Sequence, residues 1–157
     1  MKKFSVLLVA ILALMMLFVS CENEPEKRAA TKEDGEIING LFYAMRSELV
    51  DEETVESNED EDSIEIEFKT TEFKDGEGNI VAVLKGTMTV KEDEKSETTT
   101  FSVDFRDGTK YKGEDHTLLA SIVRNEKGDV SYEIMLDGVI LTDFDFDPIF
   151  KIMFEQP

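Results

Sequence analysis

The chain has 157 residues, with 36 acidic against 17 basic side chains, a formal net charge of −19, one cysteine and one histidine. That balance argues against nucleic acid as a partner, because binding phosphates requires clustered Lys and Arg. One thiol allows no intramolecular disulfide, so the fold must rest on its apolar core, and a zinc site of the usual kind would lack its several His or Cys ligands.

The first twenty-one residues read as an address. Lys2 and Lys3 are the only charges before Glu22, and every residue from Phe4 to Val19 except Ser5 is apolar. A short basic start, an apolar run and a small residue at its end describe a secretory signal peptide. A membrane span would need about 20 apolar residues and a flank that stops transfer. The run here is shorter, and its flank is acidic.

The run closes on Phe18-Val19-Ser20-Cys21. This resembles the lipobox of bacterial lipoproteins, in which a small residue precedes an invariant cysteine; leucine is usual where Phe18 stands. The resemblance implies that residues 1–20 are removed, that Cys21 is the lipid attachment site, and that its acyl chains anchor the protein in a membrane of the cell envelope, on the periplasmic face or the cell surface. Several chains on one residue anchor stably, whereas one binds marginally. The resemblance ends with the signal region. Loss of Lys2 and Lys3 leaves 15 basic against 36 acidic residues, a net charge of −21.

Residues 21–32 are polar, charged and interrupted by Pro25, the composition of a lipidated flexible tether. Residues 33–157 then form a single domain. Thr31 with Asp34 predicts a helix start, and Ile37, Leu41, Met45 and Leu49, with Ile38 and Phe42 alongside, form one apolar stripe. Gly40 lies inside this helix, where it costs about 1 kcal/mol against alanine or allows close approach to a sheet. Residues 51–63 are a run of acid and read as a solvated loop. Asn58, Asp60 and Asp62 imitate the first three ligands of an EF-hand, but Ser63 stands where glycine is needed and Lys69 where glutamate is needed.

From Ile64 the period becomes two. Ile64, Ile66 and Phe68 alternate with Glu65, Glu67 and Lys69, and a phase slip at Thr70-Thr71 predicts a bulge. Asp75 to Asn79 predicts a hairpin turn. The returning strand carries Ile80, Ala82, Leu84, Met88 and Val90 on one parity, with Gly86 as a bend or a close backbone approach. Phe101, Val103 and Phe105 predict the next strand. Tyr111 sits in a short strand, residues 117–123 form another, and turns at 125–129 and Asp137-Gly138 frame Val130, Tyr132, Ile134 and Leu136. Ile140, Thr142, Phe144 and Phe146 extend the alternation, and residues 149–154 read as a last strand in preference to a short helix.

These elements predict an α+β domain: one N-terminal amphipathic helix packed on a curled antiparallel β-meander of six to eight strands, which wraps the helix or closes into a barrel or sandwich. The C-terminal aromatics Tyr132, Phe144, Phe146, Phe150 and Phe154 fill its core or line a cavity.

Little in the chain points to chemistry. His116 reads as an exposed or turn histidine; a Ser-His-Asp triad would have to use it, and no nucleophile elbow accompanies it. Asp143, Asp145 and Asp147 would project from one side of a strand about 7 Å apart, as a cation or basic-peptide site or as charges guarding an edge. A carboxylate pair for glycoside hydrolysis is expected by chance among 36 acids, and the chain has no Trp to stack a sugar. The expectation is a non-enzymatic lipoprotein with no cofactor and no metal. It would bind a basic protein partner or a small apolar ligand, with a structural or envelope-assembly role as the alternative and a carboxylate-based hydrolase as the remote one.

Overall fold

The computed structural model describes residues 24–48, 56–60 and 63–154. The chain order is β1 (Lys27–Ala29), α1 (Lys32–Glu48), β2 (Glu56–Asp60), β3 (Ser63–Lys74), β4 (Ile80–Asp93), β5 (Thr98–Phe105), β6 (Lys110–Tyr111), β7 (Glu114–Asp115), β8 (Leu118–Asn125), β9 (Val130–Leu136), β10 (Val139–Thr142) and α2 (Asp147–Phe154). The fold is α+β, with a curled sheet that forms a half-barrel. Its strands run in the order β1-β10-β9-β8-β5-β4-β3-β2, and the β6–β7 flap hangs from β4.

Period-two patterning builds the sheet's inward face as rows that cross five strands. One row is Ile66, Met88, Val103, Ala120 and Ile134; the next is Phe68, Gly86, Phe105, Leu118 and Leu136. Nearly all of these side chains are buried. The outward row between them is Glu67, Thr87, Asp104, Leu119 and Met135, and the outward row beyond Ile66 is Glu65, Thr89, Ser102, Ser121 and Glu133. A strand with one wet face keeps this alternation because a one-residue slip would expose the whole core set.

Ile38, Leu41, Phe42, Ala44 and Met45 of α1 are fully buried in the same cluster as those inward rows. Phe42 lies against Phe101, with centroids 6.2 Å apart. The start of α1 is a reciprocal capping box. The Thr31 amide donates to Asp34 Oδ2 at 2.7 Å, and the Asp34 amide donates to Thr31 Oγ1 at 3.2 Å. Asp34 is buried and also receives both terminal nitrogens of Arg28, at 2.6 and 2.9 Å. The Arg28 hydrogen bonds hold the Asp34 carboxyl well below the usual carboxylate range, against the opposing effect of burial and with help from Thr31.

Several expectations are corrected. The sheet is mixed, because β1 pairs parallel to β10. Lys27–Ala29 thus belongs to the sheet, although it lies inside the stretch read as tether. Glu56–Asp60, read as solvated loop, is a strand antiparallel to β3; an edge strand needs only one bonded neighbour and tolerates a wholly polar sequence. Eight strands lie on the sheet's main path, within the expected six to eight, and the two-residue β6 and β7 lie off it. A second helix, α2, replaces the expected last strand. Its apolar residues, Ile149, Phe150, Ile152 and Met153, also fit a helical spacing, and Pro148 falls in the first turn, where its missing N–H costs nothing. Arg46 of α1 donates to the carbonyl of Ile152, satisfying an acceptor near the C-terminus of α2. Phe154 ends α2, and Leu49 lies outside the described residues.

The bulge at Thr70-Thr71 is present, as a register shift between Phe68 and Thr71. Gly86 is both a bend and a close approach. Its φ is +138°, and a Cβ there would stand 2.0 Å from the carbonyl oxygen of Asp104. Its bare position lets Phe68 and Phe105 meet edge to face at 5.7 Å across β4.

Two consequences are measurable by urea unfolding. Gly86→Ala should cost on the order of 3 kcal/mol through backbone strain and overpacking, while Gly76→Ala, with open space at its Cβ, should stay within about 0.5 kcal/mol. Asp34→Asn should cost about 1–3 kcal/mol at neutral pH. Because its folded pKa is depressed, Asp34 stabilises above its ordinary value of 3.8 and loses that contribution as pH falls. The gap between wild type and Asp34→Asn should therefore narrow on acidification; a pH-independent gap would contradict the assignment.

Candidate functional site

The inward face of the sheet is occupied by the chain's own side chains, so the concavities that remain are open clefts at its ends and flanks. One, about 530 Å³, lies where the β4–β5 and β8–β9 hairpins meet, and is walled by Glu92, Asp93, Glu94, Glu97, Thr99, Arg124 and Glu126 among others. Another, about 440 Å³, separates the start of α1 from the loop before α2, with Asn39, Asp143, Asp145 and Pro148 in its wall. Exposed large apolar side chains are spread over five elements: Tyr43 on α1, Ile64 on β3, Ile80 on β4, Leu119 on β8 and Tyr132 on β9.

The opposite end of the sheet carries the single histidine. His116 lies in the loop between β7 and β8; of the two expectations, exposed or turn, the exposed one is corrected, because its side chain is 9% exposed. The amide of His116 donates to the Thr109 carbonyl at 3.0 Å. Thr109 is itself buried and bonded to both the amide and the carbonyl of Lys85. The ring is held by Asp137, the first residue of the β9–β10 turn. Asp137 Oδ2 lies 2.9 Å from His116 Nδ1, and Oδ1 accepts the Thr117 amide at 2.8 Å. The turn needs left-handed backbone at both central residues, and Asp137 and Gly138 adopt φ of 52° and 80°. An ionised carboxylate can only accept, so Nδ1 carries the ring's proton and Nε2 is the acceptor in the neutral imidazole.

A cleft of about 260 Å³ opens beside His116 and is lined by Glu33, Glu36, Ile37, Tyr111, Lys112, Glu114 and His116. Tyr111 reaches it from β6. Its ring covers Gly40 of α1, where a Cβ would approach ring carbons to 2.2 Å. The helix glycine is thus required by a close approach, here to a side chain of the flap. Lys112 pairs with Glu36 and lies 5.3 Å from the centroid of the Tyr111 ring. The Lys112 hydrogen bond lowers the Glu36 carboxyl, and the same bond raises Lys112.

The other residues singled out from sequence do not converge. Cys21 and Asp62 lie outside the described residues, and Asn58 and Asp60 belong to β2. Asp143, Asp145 and Asp147 do not share a strand face, because β10 ends at Thr142 and Asp143 turns the chain at φ 53°. Phe144 and Phe146 are buried in this loop. Tyr132 stacks on Phe146 at 4.9 Å and donates to the Phe144 carbonyl at 2.6 Å. Among the described residues no group of three or more His, Cys, Asp or Glu is arranged to hold a metal ion, and no helix is long and apolar enough to cross a membrane. Asp137 and the Glu36–Tyr111–Lys112 grouping were not found from sequence. Asp137 reads only as a turn residue, and nothing local reveals a partner 21 positions away.

Compared with known proteins, the chain matches no family model, no curated protein and no solved structure.

In ¹⁵N spectra His116 should show the Nδ1–H tautomer. Asp137→Ala should release it to a mixture and cost about 1–3 kcal/mol through the two bonds lost. An Nε2–H ring in the wild-type protein would contradict the assignment.

Proposed function

We propose that this chain is a lipid-anchored, extracytoplasmic, non-enzymatic binding module, held at the cell envelope by acyl chains on Cys21, that takes a basic protein partner on its acidic surface. The observation that carries the reading is the character of its concavities. The curled sheet is filled from within by Phe42, Phe68, Leu84, Phe101, Phe105, Leu118 and their neighbours, while the open cleft at the hairpin end is walled by five carboxylates and one arginine. A site for a small apolar ligand buries most of that ligand against apolar walls, and the filled interior does not support one. A surface of one sign steers an oppositely charged partner and raises its association rate.

The anchor and the recognition separate experimentally. Cys21→Ala should fractionate away from membranes in a diderm host and take no acyl label; a variant that stays with membranes and keeps its label would overturn the lipid assignment. For recognition, a decalysine peptide should bind the full chain in detergent, weakening as salt rises past the point where the screening length falls below about 8 Å, whereas decaglutamate should not bind. Equal binding of the two, or binding indifferent to salt, would overturn the basic-partner reading.

A further inference from the structure

The cleft between α1 and the β6–β7 flap has more definition than a generally acidic surface gives. Its aromatic wall, Tyr111, is seated by the bare Gly40. Its apolar element is Ile37, half-buried on α1. Its negative groups are Glu33, Glu36 and Glu114. His116, nine-tenths buried in its wall, is fixed through Nδ1 by Asp137. His116 lines both this cleft and a neighbouring one walled by Asp107, Asp115 and Asp137.

One donor already sits in the cleft. Lys112 carries its ammonium to Glu36 and over the Tyr111 ring. Both members of that pair are more than half exposed, at 59% and 55%, and exposed pairs of this kind are weak. A cation beside an aromatic face and a carboxylate, with an apolar surface for its methylenes, is how a lysine-like side chain is bound.

We propose that this cleft receives one primary ammonium group on an alkyl stem, in the place Lys112 Nζ now holds, and that Lys112 is its internal competitor. The inference rests on the basic-partner reading and gives it an address. The ammonium could arrive on a lysine of a protein or on a free diamine, and the two sources call for separate probes.

Because His116 is the only histidine, its ring C–H signals report on the cleft without assignment. The full chain in detergent, ¹³C-labelled at histidine, is titrated with cadaverine and, separately, with decalysine. Cadaverine should shift the His116 signals saturably, beyond any effect of sodium chloride at equal ionic strength. Lys112→Asn suits the left-handed backbone at that position, φ 50°, and removes the competitor. It should tighten cadaverine by roughly two- to fivefold, and Glu36→Gln should weaken it. Lys110→Gln removes a neighbouring charge outside the cleft and should leave affinity nearly unchanged. The proposal is overturned if Lys112→Asn and Lys110→Gln tighten binding alike, or if cadaverine moves His116 no more than salt does. If decalysine binds without moving His116, the partner reading stands and the cleft falls. If only cadaverine binds, at His116, the cleft stands, its ligand is a free amine and the basic-partner reading falls.

Discussion

The inward rows of the sheet and the buried side of α1 share one apolar cluster, and the rest of the described structure is arranged around it. With no disulfide possible, stability must come from burying apolar surface, at about 25 cal/mol per Å². Phe42, Leu41 and Met45 from the helix and the inward rows of β3, β4, β5, β8 and β9 form one cluster. A half-barrel filled in this way has its edges and both ends open to solvent but little interior to offer. The clefts that remain therefore lie at the ends and flanks, where the strands hand over to turns.

The turns then do two jobs. They reverse the chain, and they carry polar side chains that knit one element to another. Asp137 closes the β9–β10 turn and at the same time fixes His116 and the start of β8. Arg28, from the edge strand, clasps the cap of α1 through Asp34, so the first strand and the first helix form one unit. Arg46 ties α1 to α2. Each of these joins separate elements of the fold. The excess of carboxylates makes such ties selective: 17 basic residues are shared among 36 acids, and among the described residues most acidic side chains face water.

Much of the architecture was legible in the sequence because patterning is local. The period-two runs placed β3, β4, β5 and β9, a run apolar on both faces placed β8, and the bulge at Thr70-Thr71 was visible as a change of parity. Three features were not legible, each for a physical reason. The parallel β1–β10 pairing joins segments more than a hundred residues apart, and a three-residue strand has no period to read. β2 borrows its conformation from the ladder of β3, so its polar sequence looked like loop. Residues 143–154 contain alternation and helical spacing at once; Asp143 turning left-handed and Pro148 starting a helix decided between them. The site was hidden for a related cause. Tyr111, Lys112, Glu36 and His116 come from α1, the flap and the loop before β8, and only the tertiary fold brings them to one cleft.

The claim on which the rest depends is that α1 never leaves the concave face while the sheet is folded. Native-state amide hydrogen exchange tests it directly, because segments that open alone exchange with a smaller free energy than the global one. The amides of Leu41, Phe42 and Met45 should exchange with the same free energy as those of Phe101, Val103 and Ile122, rising and falling together with denaturant. A distinctly smaller value for the helix would contradict the account, since it would mean that the half-barrel opens and exposes an apolar interior able to take a ligand.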